Sequence, residues 1–189
     1  MATMDASQVT VGSAKATGAI WTAPEGTTLP ADATTALSST WVLLGFTSDA
    51  GVTIAENTSS ESIRAWEDRT EVLTIHTEYS ETVSFTPIQC NADVAKLTWG
   101  EDHVTVSQDG SIYAKHHGGT MTPVAIVVET SPAVGIVKRY CGTFRLTERG
   151  EATMDGTQVD ARQLTFTSVA DSNGVTVHEH TAYTTGTTS

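Results

Sequence analysis

Apolar and polar residues along this chain alternate more often than they cluster, and the period is two. In Val72-Leu73-Thr74-Ile75-His76-Thr77-Glu78-Tyr79, the side chains of Leu73, Ile75 and Tyr79 fall on one side of an extended segment and those of Thr74, His76 and Glu78 on the other. That is the pattern of a half-buried strand. Thr82–Thr86 repeats it and reads as a partner strand, joined through a turn at Tyr79-Ser80-Glu81. Upstream, Trp41–Phe46 is a short apolar run, Ser48-Asp49-Ala50-Gly51 has turn chemistry, and Val52–Glu56 resumes as a strand. A polar stretch from Glu56 to Glu61 leads to Ile63, Ala65 and Trp66, and Glu67-Asp68-Arg69-Thr70 reads as a turn.

The second half follows the same rule. Val104–Val106 and Ser111–Ala114 flank Gln108-Asp109-Gly110, and Asp-Gly is a strong hairpin signal. Val124–Val128 is apolar without a break, as a central strand buried on both faces would be. Val134–Thr147 alternates over a long span, and Gln158–Val169 is its expected partner across the turns at 148–151 and 155–156. Asp171–Gly174 is a further turn before the strand Val175–Thr181.

Only Pro87–Trp99 suits a helix, centred on about residues 89–98: Asn91 can cap it, Ala92, Ala95 and Lys96 favour it, Val94 and Leu97 share a stripe, and Gly100 ends it. A helix this short needs packing against a sheet. The expected fold is therefore all-β with one helix, a sandwich or barrel with long hairpins and a single flanking α-helix. Strands as long as Val134–Thr147 are unusual in a small monomeric sandwich, and the edges they expose must be covered or paired.

Domain boundaries follow from where the large apolar residues stop. Residues 1–39 are rich in Ala, Thr, Ser, Gly and Pro, with one short strand candidate at Gln8–Val11, and read as an arm or extended loop. Residues 40–182 hold the β domain, and 183–189 form a Thr/Gly/Ser tail expected to be mobile.

Charge and chemistry narrow the reading further. The 189 residues carry a formal net charge of −12, which argues against ordinary phosphate-backbone binding and favours solubility. No apolar run is long enough to span a bilayer, so membrane insertion is not expected, and the stretch Met1–Asp5 lacks the pattern of a secretory signal. With that context, Cys90 and Cys141 read as two buried free thiols rather than a disulfide or a nucleophile.

His178 and His180 would face the same way in a strand and could approach one metal ion, but a third ligand is not visible; His116-His117 cannot share a face if extended. The plain alternative is exposed polar histidines. Carboxylates are abundant, yet without a defined separation they carry no glycosidase argument, and no nucleophile elbow, phosphate loop or dinucleotide fingerprint occurs. No cofactor and no catalytic or metal site is assigned, and an enzyme is not expected. Trp21, Trp41, Trp66 and Trp99 suit either core and subunit-interface packing or a stacking platform for sugars or bases.

One ordered set of motifs goes beyond pattern. Trp41, Leu43-Leu44-Gly45-Phe46, the acidic turn ending in Gly51-Val52, and Ile63-Arg64-Ala65-Trp66 resemble the major tail, or tail tube, proteins of long-tailed, siphovirus-type bacteriophages. Gly18–Pro30, with Ala23-Pro24-Glu25-Gly26-Thr27-Thr28-Leu29-Pro30, is similar to that family's opening, and Phe85–Ile88 and Leu97–Gly100 sit where it has an aromatic strand, a short helix and an aromatic-Gly pair. Two departures are Glu67-Asp68, where a glycine usually follows the Ala-Trp, and Gln89-Cys90, where an acidic pair is common.

The resemblance implies a structural virion protein. Six subunits would form a ring, and stacked rings would form the tube through which DNA is ejected without specific binding. Tape-measure, tail-tip and tail-terminator proteins are the implied partners, and the host cytoplasm the place of assembly. On this reading the arm orders against a neighbouring subunit, and Trp21, Glu56, Glu61, Arg64, Trp66, Glu67 and Asp68 are candidate interface residues. Lys138, Arg139, Arg145, Asp160 and Arg162 belong to the candidate lumen hairpin. The free protein is expected to be a monomer when dilute. A rival reading is an acidic β-sandwich binding module, an adhesin or carbohydrate-binding domain.

Overall fold

The computed structural model describes residues 11–14, 18–131, 135–157 and 159–183. Among these residues ten strands run in chain order as β1 (Ile20–Pro24), β2 (Val42–Leu43), β3 (Thr47–Arg64), β4 (Glu71–Pro87), β5 (Val104–Val106), β6 (Ile112–Ala114), β7 (Val124–Thr130), β8 (Ile136–Arg149), β9 (Leu164–Val169) and β10 (Val177–Tyr183), with one α-helix, α1 (Ala92–Trp99), between β4 and β5. Eight strands make one antiparallel sheet in the order β2-β1-β7-β8-β9-β4-β3, with β10 on the first half of β8; β5 and β6 pair as a separate hairpin. The expectation of an all-β fold with one helix is met.

That strand order requires the sheet to curl. β2 and β3 are its two ends, six strand spacings or roughly 29 Å apart if flat. Only Leu44, Gly45 and Phe46 join them in the chain, a reach of about 14 Å at most. Strand ends therefore come round towards each other into a barrel. Backbone bonds fix the link at each end: Leu44 N–H donates to Ile20 O at 3.0 Å beside β1, and Ile88 N–H to Phe46 O at 3.0 Å beside β4. Gly45 at the seam has φ 100°, and a Cβ there would overlap Gln89, whose Oε1 accepts from Phe46 N–H at 3.2 Å.

Alternation then sorts the side chains. Ile20, Val83, Phe85, Ile126, Val128, Phe144, Leu146, Leu164 and Phe166 point to one core, closed by Leu97 of α1, and Phe85 stacks on Phe166 at 5.4 Å. On the opposite face, Ala125, Val127 and Cys141 meet Trp41, with Trp21, Leu29 and Leu37 packed around them. β7 is thus buried on both faces, as its unbroken apolar run demands.

The helix is shorter than expected and starts later, because Pro87 is still the last residue of β4. Its caps are those read from the residues: Asn91 Oδ1 accepts from Val94 N–H at 2.8 Å, and Gly100 N–H donates to Lys96 O at 2.8 Å.

Several boundaries differ. Ser48–Gly51 is a bulge inside β3 rather than a turn, sited between the pairs Thr47↔Pro87 and Val52↔Phe85, and Gly51 takes φ 73° there. Tyr79–Glu81 is not a turn either, since β4 runs through it paired to Glu56–Thr58. The apolar run Trp41–Phe46 yields only two strand residues, because Trp41 is taken into the second core. Gln158–Val169 is a strand only from Leu164, and its pairing with β8 is as expected.

The segment read as an arm, 1–39, is not of one kind. Ile20–Pro24 is a strand inside the sheet, and residues 25–41 lie over β7 and β8. What fastens them is Arg139: its guanidinium donates to Asp32 O at 2.7 Å, to Thr35 O at 3.0 Å and to the Glu129 carboxylate. The candidate strand Gln8–Val11, apart from Val11, the segment 184–189, Val134 and Gln158 lie outside the described residues.

Candidate functional site

β3 and β4 form a hairpin far longer than the barrel they belong to. Only Thr82–Phe85 of β4 pairs with β9; from Glu71 to Tyr79 the strand has β3 and solvent for neighbours. Every residue from Glu71 to Tyr79 is exposed, as is every one from Ala55 to Arg64. Ile63, Val72, Leu73, Ile75 and Tyr79 are among the exposed large apolar residues, and Trp66 at the tip is 96% exposed. A two-stranded ribbon bare on both faces is marginal in water by itself, and apolar groups repeated along it mark a surface built to be covered.

The tip turns without glycine. Asp68 (φ 53°) and Arg69 (φ 52°) both adopt left-handed backbone, the geometry that matches the twist of a hairpin, and Ala65 N–H donates to Thr70 O at 2.9 Å. A shallow hollow there is lined by Arg64, Ala65, Trp66 and Arg69. The glycine missing after the Ala-Trp is thus replaced by two strained L-residues, of which aspartate is the more tolerant.

Six of the seven candidate interface residues lie on this hairpin. Glu56 faces Glu81, Glu61 faces Ile75, Arg64 faces Glu71, and Trp66, Glu67 and Asp68 make the tip. Trp21 is elsewhere: it sits on β1, half-buried against the second core, with its Nε1 buried and without an acceptor among the described residues. The hairpin is anchored where it leaves the barrel by Glu81, whose buried carboxylate accepts from Tyr79 Oη at 2.9 Å and Thr176 Oγ1 at 2.5 Å. That carboxylate in turn holds the Tyr79 phenol above its ordinary pKa.

The candidate lumen residues scatter. Arg139 is 3% exposed and spent on the ion pair with Glu129, so it presents no charge to any surface. Lys138 pairs with Glu179 of β10 at 3.1 Å, which raises its pKa. Arg145 is exposed on the outer face of β8, and Asp160 is exposed in the 150–163 connection. That outer face, over β4, β9 and the end of β8, is otherwise hydroxyl-bearing: Ser84 bonds Thr165 at 3.1 Å and Thr147 bonds Thr167 at 3.0 Å.

Arg162 has a different setting. Its guanidinium lies 5.4 Å from the Trp99 ring, and that of Arg149 lies 4.9 Å from the same ring. His116 stacks on Trp99 at 3.5 Å. Arg149 Nε donates to Thr98 O at 2.7 Å, while its Nη2 is buried with no acceptor among the described residues. Burial, and then the nearby Arg162, push the Arg149 pKa down, though a guanidinium stays charged. Residues 99, 116, 149 and 162 are too far apart in sequence for any spacing rule to have joined them.

Four further histidines meet one another in pairs. His178 and His180 lie parallel at 6.5 Å, and His117 turns away from His116 to meet His103 at 3.8 Å. Among the described residues, no three His, Cys, Asp or Glu side chains are grouped to hold a metal ion. Both cysteines are free, but Cys90 is exposed rather than buried, since it falls in the link between β4 and α1; Cys141 is buried, which raises its pKa to about 11. Trp41 is buried, Trp21 half-buried and Trp99 stacked, leaving Trp66 as the one tryptophan fully open to a partner. No helix among the described residues is long and apolar enough to cross a membrane.

A small antiparallel barrel that holds out a bare, apolar-studded ribbon has the architecture of an assembly subunit. The family described as phage tail tube protein matches residues 2–182, and the chain belongs to it. No curated protein matches the chain significantly. Membership gives the chain a structural role and a place in the virion tail.

Proposed function

We propose that this protein assembles into six-membered rings that stack into the tube of a siphovirus-type tail, the conduit for DNA ejection. The observation that carries this is the distal β3–β4 ribbon, whose exposed apolar residues and unpaired strand edges need a neighbour to cover them. Glu56, Glu61, Arg64, Trp66, Glu67 and Asp68 would then meet an adjacent subunit, with Trp66 as the anchor. Trp21, on β1, is a weaker candidate for the same role.

For the lumen, the outer face of β8, β9 and β4 is the preferred surface. Two pairs of its hydroxyl groups, Ser84 with Thr165 and Thr147 with Thr167, are bonded to one another, and Arg145 is the cation among them. Neutral hydroxyls, with the acidic total charge of the chain, give phosphates little to hold. Arg139 takes no part in this proposal. The tape-measure, tail-tip and terminator proteins, and assembly in the host cytoplasm, follow from the same reading.

Negative-stain microscopy of the purified protein, dilute and concentrated, tests it. Monomers when dilute, and six-fold rings or hollow tubes on concentration, are expected. A saturable glycan-induced shift in tryptophan fluorescence, with no assembly, would favour the binding-module reading instead.

A further inference from the structure

The hairpin tip and the Arg149–Arg162–Trp99 cluster stand at opposite ends of one axis. β4 runs seventeen residues from Glu71 at the tip to Pro87, roughly 55 Å of strand. β9 pairs Leu164 with Phe85, and β8 pairs Arg149 with Leu164, so Arg149 lies level with the end remote from the tip. Arg162, two residues before Leu164 on an antiparallel path, lies further out still, and α1 brings Trp99 to both.

Charge differs at the two ends. Glu61, Glu67, Asp68 and Glu71 outnumber Arg64 and Arg69 at the tip. The far end sets two guanidiniums over a single indole, one of them with a buried N–H donor that has no acceptor among the described residues. Two like charges on one ring, both half-buried and with no carboxylate paired to either among the described residues, form an incomplete site. Nearby Glu101 does not complete it, being held by Lys96 at 3.2 Å.

We infer that the acidic hairpin tip of one copy docks on the Arg149–Arg162–Trp99 cluster of the next, with Glu67 and Asp68 as anions and Trp66 as the apolar contact. This rests on the tube reading and adds to it the pair of surfaces that join one ring to the next. Because the two surfaces differ, the contact is head-to-tail, and because they lie at opposite ends of one axis, each contact displaces the next copy along that axis. It therefore sets up stacking along the tube rather than closure of a ring.

The test uses the full chain as Arg162→Glu, as Glu67→Arg with Asp68→Arg, and as all three changes together. Pelletable tubes and negative-stain images are read against melting curves that establish an intact fold. Each single-ended reversal is expected to raise the concentration needed for tubes by about tenfold or more, since it sets like charges together. The triple variant is expected to return to within about threefold of wild type, with opposite charges paired again. Unstacked rings in the single-ended variants fit the inference directly. If Arg162→Glu stacks like wild type, or if the triple variant is not rescued while folded, the docking is wrong and the tube reading stands. A wild-type chain that never assembles at any concentration overturns both.

Discussion

β3 and β4 pair along almost their whole length, yet the two halves of that hairpin live in different surroundings. From Glu81 to Pro87, alternate residues of β4 are buried, with Val83 and Phe85 at 1% exposure. From Glu71 to Tyr79 none is, although Leu73, Ile75 and Tyr79 keep the same period. Both halves are antiparallel ladders interrupted by register shifts, one in the proximal half and two in the distal, and the pairing alone does not account for the contrast. What differs is β9 and the core behind it, which end level with Thr82. Period two states only that one face wants cover; it does not say whether the cover is the chain's own.

The most forceful way to sharpen this contrast is to cut a side chain from each half. Phe166→Ala, beneath the proximal half, is expected to cost about 3–5 kcal/mol in denaturant unfolding, through lost burial and a cavity. Leu73→Ala and Trp66→Ala, on the distal half, should leave monomer stability within about 0.5 kcal/mol and instead impair assembly. Losses of equal size in the monomer would mean the ribbon is packed in solution after all.

Next in size is the clasp on residues 25–41. Arg139→Ala removes the guanidinium from a buried ion pair with Glu129 and releases the loop it holds at Asp32 and Thr35, for a loss of about 3–5 kcal/mol by the same unfolding assay. A milder break falls at the boundary itself. Glu81→Ala removes the acceptor of Tyr79 and Thr176, at about 1–3 kcal/mol, and should speed amide exchange of the distal ribbon in the monomer. Exchange unchanged there would detach Glu81 from any anchoring role.

Two finer contrasts remain. Native protein should expose one thiol to a maleimide at pH 8 and two after unfolding, since Cys90 is open while Cys141 is buried with its pKa raised to about 11. Smallest is the acid response of the 31–35 turn. Four donors from Thr34 and Thr35 hold the Asp32 carboxyl well below its ordinary range. A folded pKa below the unfolded one stabilises above the unfolded value, near 3.8, and the benefit fades as pH falls through the folded value. An Asp32→Asn variant should therefore show a shallower acid limb in its melting curve.

Much of the fold was legible. The Asp109-Gly110 hairpin, the Asn91 and Gly100 caps and the doubly buried β7 all rest on local rules, and each appears where those rules place it. Misreadings cluster where a distant partner overrode a local signal. Ser48–Gly51 carries every mark of a turn, yet pairing on both sides of it absorbs the segment as a bulge. Arg139 sits in an alternating strand and reads as surface; Glu129, ten residues away, takes it inside. Cys90 reads as a buried thiol because nothing in the sequence points to an oxidising compartment, but its link between two elements leaves it outside. The candidate site divides in the same way, with the hairpin tip visible as a motif and the Trp99 cluster invisible.

By itself, then, the order of residues determined the period, the caps, the turns with Asp-Gly and the motif set that marks the family, because each depends on neighbours a few bonds away. Tertiary structure decided which apolar stripes are covered, which charges are interior, and that four residues spread over 99–162 meet around one indole. Those outcomes depend on how far the curled sheet reaches, and its reach is set by pairings between strands distant in sequence.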